Sequence, residues 1–131
     1  MPEERGSGIY NAIVIGGGTA GLVTAAGTAG LGGRVALIER NKMGGDCLNF
    51  GCVPSKALIA SSRAIEGIRR AELLGLEAME PDFEFENVFA RMRERRAVIE
   101  PNDSAERFEE LGVDVFAGDA NFISPNEIDV D

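Results

Sequence analysis

The chain has 131 residues, the size of one ordinary domain, and 44% of them are hydrophobic, as in a typical globular protein. Its formal net charge of −9 argues against nucleic acid as a partner. No apolar run reaches the ~18 residues that a membrane helix needs, and the N-terminus has no secretory signal, so we expect a cytoplasmic protein without a membrane segment.

The first forty residues predict one βαβ unit, the building block of parallel sheets. Residues 9–15 form a mostly apolar run that stops at glycines, as buried strands do. The alanine-rich residues from Thr19 to about Leu31 predict a helix that Gly32 and Gly33 close. Residues 34–38 predict a second buried strand, joined to the first by a right-handed crossover.

The middle of the chain predicts two amphipathic helices. Pro54 suits the first turn of a helix that extends to about residue 74 and whose apolar face is formed by Leu58, Ser61, Ile65 and Ile68. A linker at residues 81–86 leads to a second helix at residues 87–99, which Pro101 should kink or stop. Its apolar stripe is formed by Val88, Met92 and Ile99.

The last thirty residues predict a short helix and three short strands. Asp103 and Glu106 resemble a capping box for a helix that reaches Leu111 and ends at Gly112. Residues 113–116, 119–123 and 128–130 predict strands, and a turn at residues 124–126 makes a hairpin of the last two. Because the chain stops after this hairpin, we expect it to be a fragment of a longer protein.

A glycine-rich turn follows the first strand and opens the first helix. Its spacing, Gly16-x-Gly18-x-x-Gly21, is that of the dinucleotide fingerprint: a tight turn, close approach of a pyrophosphate, and close helix–strand packing. The helix N-terminus offers free N–H groups to phosphates. Glu39 ends the second strand about 20 residues further on, where an acid binds ribose hydroxyls. We therefore predict a bound dinucleotide, FAD or NAD; a plain glycine-rich turn is the alternative.

Cys47 and Cys52 are the only cysteines, and the chain has no histidine. Three interpretations are open: a zinc site completed by carboxylates, two ordinary buried thiols, and a redox-active pair. Cys52 directly precedes Val53 and Pro54 and so lies at a helix N-terminus. There the helix dipole is expected to lower a thiol pKa and to favour the reactive thiolate, which favours the redox pair.

The segment Cys-Leu-Asn-Phe-Gly-Cys-Val-Pro-Ser-Lys at residues 47–56 resembles the redox helix of the class I pyridine nucleotide-disulfide oxidoreductases. This family includes dihydrolipoamide dehydrogenase, glutathione reductase and mercuric reductase. The resemblance covers residues 1–131 and corresponds to the N-terminal portion of the family's FAD-binding domain. It implies an α/β fold: a truncated Rossmann-like FAD-binding domain with a parallel sheet, flanking helices and a small antiparallel β hairpin. The Gly-Gly-Asp-Cys form and residues 102–105 are most similar to mercuric reductase-like members.

The resemblance also implies roles for single residues. Cys47 would be the interchange thiol that meets substrate, Cys52 the charge-transfer thiol against the flavin, and Lys56 would stabilise the reduced flavin near N5. Glu39 would bind the adenosine ribose, and Gly118 would contact the adenine. The remaining cofactor-binding residues would be Gly16, Gly18, Thr19, Ala20, Gly21, Arg40, Gly44, Gly45 and Asp46.

Two features lie outside the family pattern. Asp46 stands where the family commonly has threonine, so a hydroxyl contact with the cofactor is lost or replaced. A carboxylate near phosphates would be unfavourable unless it points away from them. The family's acid–base histidine is absent, together with the NAD(P)-binding and dimerisation domains.

Four arginines on the second amphipathic helix are predicted to form a solvated face rather than an anion site: Arg91, Arg93, Arg95 and Arg96.

For the parent protein, the resemblance implies FAD-dependent transfer of electrons from NAD(P)H through the flavin to the Cys47–Cys52 disulfide. The final acceptor would be a small-molecule disulfide or a metal ion, and the full-length protein would be a homodimer. This fragment alone would be inactive. The alternatives are a non-catalytic FAD- or NAD-binding module or isolated fragment, and an ordinary NAD-dependent dehydrogenase. The dehydrogenase explains the glycines and Glu39 but leaves residues 47–56 without a reason.

Overall fold

The computed structural model describes residues 8–131. Its main sheet has three parallel strands in the order β1-β2-β3: β1 (Ala12–Ile15), β2 (Val35–Glu39) and β3 (Val113–Ala117). Helix α1 (Thr19–Gly30) connects β1 to β2. The predicted βαβ unit is therefore confirmed, although β2 is shifted by one residue from the predicted 34–38. Residues 9–11 lie outside β1.

Tyr10 explains why the apolar run starts before the sheet does. Its ring lies 4.6 Å from the Arg34 guanidinium, and its hydroxyl donates a hydrogen bond to Asp114 Oδ2 at 2.9 Å. Burial and this hydrogen bond raise the pKa of Tyr10. The residue is thus used in a side-chain contact at the amino ends of the strands, while Ile9 beside it is exposed.

The hydrophobic core lies between the sheet and two helices. β2 is the central strand, and residues 35–38 are all buried, as expected of a strand that is covered on both faces. Helices α1 and α5 (Ala105–Glu110) cover one face. The buried cluster there is formed by Leu22, Ala25, Val35, Leu37, Phe108 and Val113. On the other face of β1, Ile13 and Ile15 remain partly exposed.

The segment after β2 folds into more helices than the sequence predicts. A five-residue helix, α2 (Gly45–Asn49), was not predicted. Helix α3 (Cys52–Arg69) begins two residues before Pro54, and a separate 3₁₀ turn (Ala71–Leu74) follows it, so the predicted helix to residue 74 is interrupted. Helix α4 (Phe85–Ile99) packs against α3 and begins inside the predicted linker.

Helix α4 ends at Ile99, and the 3₁₀ turn that follows contains Pro101, as the sequence predicts. The predicted capping box is wrong by one residue. Ser104, not Asp103, caps α5: its Oγ accepts a hydrogen bond from the Arg107 N–H at 3.2 Å. Asp103 instead belongs to the 3₁₀ turn.

The antiparallel hairpin is confirmed and consists of β4 (Ala120–Ser124) and β5 (Glu127–Val130). Ile128 and Val130 of the hairpin line a cavity of about 280 Å³. Ile13 and Ile38 of the parallel sheet line it too. The parallel sheet, its helices and this hairpin make up the predicted α/β fold. Within residues 8–131, no helix is both long and apolar enough to cross a membrane.

Candidate functional site

The glycine-rich turn lies at the carboxyl end of β1 and returns the chain against that strand as α1. Gly16 has φ +102°, which favours glycine, and its N–H donates to Ile38 O at 2.8 Å. A Cβ on Gly21 would overlap the Gly16 carbonyl oxygen, so only glycine allows this close approach. Gly18 caps α1, and Thr19 and Ala20 form its exposed first turn, where N–H groups lack partners within the helix.

Glu39 reaches from the end of β2 to the glycine turn. Its Oε2 accepts a hydrogen bond from the Gly17 N–H at 2.6 Å, and its Oε1 accepts one from the Asn41 N–H at 2.7 Å. The carboxylate is therefore held in one orientation at the carboxyl edge of the sheet. Each oxygen keeps a second lone pair that can accept from a hydroxyl group.

The carboxyl ends of the three parallel strands surround a cavity of about 290 Å³, the edge at which open α/β sheets bind ligands. Its lining includes Gly16, Glu39, Arg40 and Gly118. The Gly118 N–H donates to Glu39 O at 3.0 Å. Asp119, which was not predicted as a site residue, lies on the exposed rim with its Oδ1 3.9 Å from an Arg40 guanidinium nitrogen. Its position directly after Gly118 is the only sequence signal for it.

The loop before α2 contacts the glycine turn through the main chain. The Gly44 N–H donates to Gly17 O at 2.8 Å. A Cβ on Gly45 would lie 2.6 Å from Gly18 Cα, so the two backbones touch with no side chain between them. Gly44 and Gly45 have φ values of +86° and +57°, the left-handed region that favours glycine. This contact brings the two sequence motifs into one site.

Cys47 lies in α2, and Cys52 is the first residue of α3. Both are free thiols; Cys47 is half-buried and Cys52 is exposed. A hydrogen bond with Cys47, and then the charge of the Cys47 thiolate, raise the pKa of Cys52. The backbone N–H of Cys52 and the nearby Lys56 lower this pKa, but less. The predicted lowering of the Cys52 pKa is therefore wrong for the dithiol, because the effect of Cys47 outweighs those of the backbone N–H and Lys56.

A second cavity of about 290 Å³ lies beside the glycine turn, and Asp46 is part of its wall. Glu39, Arg40 and Lys42 also line it, so two carboxylates and two cations share the wall of this cavity. The Lys42 ammonium also lies 5.8 Å from the centroid of the Phe50 ring. The positive and negative side chains around this cavity are therefore equal in number.

The four arginines of α4 do not all face solvent. An Arg91 guanidinium nitrogen donates to Ala57 O in α3 at 3.2 Å, and Arg93 pairs with Glu86 at 2.8 Å. Arg96 is half-buried, and its Nε is buried without a hydrogen-bond partner in the described part of the chain. The prediction of a solvated face is therefore wrong for Arg96.

Within residues 8–131, no three His, Cys, Asp or Glu side chains cluster as a metal site would require.

Comparisons with known proteins match most of this chain to one family. The family model described as pyridine nucleotide-disulphide oxidoreductase matches residues 10–127. The dihydrolipoyl dehydrogenase of Zymomonas mobilis is 44% identical over 85 residues, which are 65% of this chain and 18% of the relative. The dihydrolipoyl dehydrogenase of Bacillus subtilis is 34% identical over 118 residues, which are 89% of this chain and 24% of the relative.

A solved structure has the same fold. It is the Cu(II) complex of the HOCl-induced flavoprotein disulfide reductase RclA from Escherichia coli, with a TM-score of 0.72 and 28% sequence identity. The match covers 92% of this chain and 24% of that chain. The chain thus spans about a quarter, or less, of the length of these similar proteins.

Proposed function

This chain belongs to the pyridine nucleotide-disulphide oxidoreductase family, and we propose that it is the part of a flavin-dependent enzyme that holds FAD and carries the redox-active cysteine pair. One observation carries the proposal: the main-chain contact between the glycine turn and the start of α2. It joins the dinucleotide-binding turn to the helix of Cys47. A plain dehydrogenase or a nucleotide-binding module without redox chemistry would leave the two free thiols beside that turn without a function.

The residues of the site fit FAD. A Cβ on Gly16 would meet no atom within 4 Å, so the turn leaves open space beside the N-terminus of α1 for a pyrophosphate. Glu39 would accept hydrogen bonds from the adenosine ribose, and Arg40 and Gly118 would border the adenine in the cavity of about 290 Å³. When bound, FAD would carry electrons between a pyridine nucleotide and the thiols. Lys56 would offset negative charge near the exposed Cys52.

The cysteine pair would exchange with a small-molecule dithiol or disulfide. In the reducing direction, the Cys47 thiolate attacks one sulfur of the substrate disulfide, whose S–S bond breaks and releases one thiol. Cys52 then attacks Cys47, the Cys47–Cys52 bond forms, and the second thiol leaves with a proton. The Cys47 thiolate holds the pKa of Cys52 up, so Cys52 ionises more readily once Cys47 is in the mixed disulfide. The dihydrolipoyl dehydrogenases among the relatives favour a lipoyl-type dithiol, which would react in reverse.

A metal ion is the second candidate substrate. Two thiols within hydrogen-bonding reach of one another can bind a soft ion, and the structural relative RclA is described as a Cu(II) complex. The similarity of the Gly-Gly-Asp-Cys segment to mercuric reductase-like members favours the same class. We also propose that NAD(P)H binding and homodimer formation use parts of the protein outside residues 1–131, because the relatives are about four times longer.

The absorbance spectrum of the purified chain with added FAD tests this function. We expect bound flavin and, on reduction with excess dithiol, a long-wavelength band from a thiolate against the flavin. The band should be lost in Cys52→Ser and kept in Cys47→Ser. If the parent chain and Cys47→Ser both bind flavin but show no band, the chain binds the cofactor and its thiols take no part in the redox chemistry. A chain that is folded but binds no FAD would contradict the cofactor assignment. Oxidation of the thiols by a cyclic disulfide, compared with their titration by Hg(II), separates the two substrate classes.

A further inference from the structure

Asn49 lies between the two cysteines and closes the loop that precedes α2. Its Nδ2 donates hydrogen bonds to Met43 O at 3.1 Å and to Gly45 O at 2.9 Å. Both partners are carbonyl oxygens, so the amide nitrogen and not the amide oxygen must face them. The two carbonyls stand on either side of Gly44, and one half-buried side chain therefore spans the whole turn.

This turn is the part of the site that contacts the glycine-rich turn. The Gly44 N–H donates a hydrogen bond to Gly17 O, and the Gly45 backbone packs against that of Gly18. Two consecutive glycines in left-handed conformations have more backbone freedom to lose than any other residue pair, so the turn gains little order from its own sequence. The hydrogen bonds from Asn49 supply that order from the far end of α2.

We infer that Asn49 is a positioning residue that holds Cys47 at a fixed place relative to both Cys52 and the cofactor-binding turn. This inference rests on the proposed redox role of the two cysteines. A disulfide forms readily when its two sulfurs have a high effective concentration, which falls when one of them gains freedom. Without the Asn49 amide, residues 43–45 relax, α2 moves with them, and the Cys47–Cys52 disulfide forms less readily.

Equilibration in a glutathione redox buffer tests the inference without flavin. In this reaction the Cys47 and Cys52 thiols reduce oxidised glutathione: its S–S bond breaks, the Cys47–Cys52 bond forms, and two glutathione thiols take up the two protons. Loss of one to two net hydrogen bonds predicts a disulfide equilibrium constant about tenfold lower in Asn49→Ala and Asn49→Asp. For a two-electron couple this is about 30 mV. Asn121→Asp is the matched control. Asn121 Nδ2 donates to Asp131 Oδ2 at 3.3 Å, away from the cysteines, so this change should leave the constant unchanged.

Asn49→Ser keeps the inference testable if the larger changes unfold the chain. A serine hydroxyl can donate to the carbonyl four residues earlier, here Gly45 O, and would lose only the bond to Met43. Its equilibrium constant should fall between those of the parent chain and Asn49→Ala. Circular dichroism shows which variants are folded, and only these are compared. A change in the disulfide equilibrium constant then does not come from unfolding. A folded Asn49→Ser or Asn49→Ala with the parent constant overturns the inference.

The same samples separate this inference from the proposed function. FAD is added to each variant after the glutathione equilibrium has been measured. A chain that binds no FAD but shows the Asn49 shift contradicts the proposed cofactor and leaves the positioning role intact. A chain that binds FAD and shows the thiolate band, but no shift in any Asn49 variant, contradicts only the positioning role.

Discussion

Replacement of Gly21 by alanine tests whether the third glycine of the fingerprint is required by packing. An added Cβ would overlap the Gly16 carbonyl oxygen and would lie 3.2 Å from Val14 Cγ1. The carbonyl belongs to the main chain and cannot rotate away, so the start of α1 or the turn itself has to shift. Overpacking of this kind costs about 3 kcal/mol at the upper end of its usual range. Alanine regains about 1 kcal/mol of helix propensity, so the expected net loss of stability is about 2 kcal/mol.

Gly27→Ala is the matched control in the same helix. A Cβ on Gly27 would meet no atom within 4 Å, so this change should add about 1 kcal/mol to the free energy of unfolding. Urea unfolding followed by circular dichroism should separate the two variants by about 3 kcal/mol, with unchanged slopes. If Gly21→Ala is as stable as Gly27→Ala, the close approach of α1 to β1 does not require glycine, and the packing argument is refuted.

Three further experiments test separate parts of the site and fold. Cys47→Ala removes the group that raises the pKa of Cys52, so ultraviolet absorbance of the thiolate should show Cys52 ionising at lower pH, and an unchanged titration would contradict this. Ser104→Ala should lower the free energy of unfolding in urea by about 1 kcal/mol, because Ser104 caps α5. Asp103→Ala should lower it less, and the reverse order would contradict the assignment of the cap. Asp46→Asn removes a carboxylate beside the glycine turn and should tighten FAD binding about threefold by flavin fluorescence, whereas weaker binding would show that the carboxylate helps.

The βαβ unit could be predicted because its signals are local. An apolar run, a glycine turn, an alanine-rich helix and a second apolar run follow each other without a break, and each is typical of only one element. The start of β1 was predicted too early because Ile9 and Tyr10 are apolar in sequence. Tyr10 instead contacts Arg34 and Asp114, which are distant from it along the chain. Such a contact leaves no trace in hydrophobic periodicity.

The helices around the cysteines could be predicted only in part. Helix α2 has five residues and begins at a glycine, so neither length nor propensity indicates a helix. It depends on the docking of Gly44 and Gly45 against the glycine turn, a tertiary contact. The cap of α5 illustrates a different limit. Asp103 and Ser104 are both good N-cap residues, and the geometry of the preceding 3₁₀ turn decides between them.

Two side chains make contacts with main-chain carbonyl groups that the sequence did not predict. Asn49 binds two carbonyl oxygens, and Arg91 binds one. A carbonyl group is present at every position, so a sequence pattern cannot show which one a side chain will reach. The cysteines and the fingerprint glycines could be found because their chemistry demands particular residue types at particular spacings.

Parallel strand order accounts for the meeting of the two motifs. The glycine turn follows β1, and the loop to α2 follows β2; neighbouring parallel strands end at the same edge, so the two loops must be adjacent. Glycines on both sides of the contact make the separation a property of the backbone alone. Side chains next to it, such as Asp46, can therefore vary without moving Cys47. The position of Cys47 is set by the main chain and Asn49, whereas contact with Cys47 raises the pKa of Cys52 and Lys56 lowers it to a smaller extent.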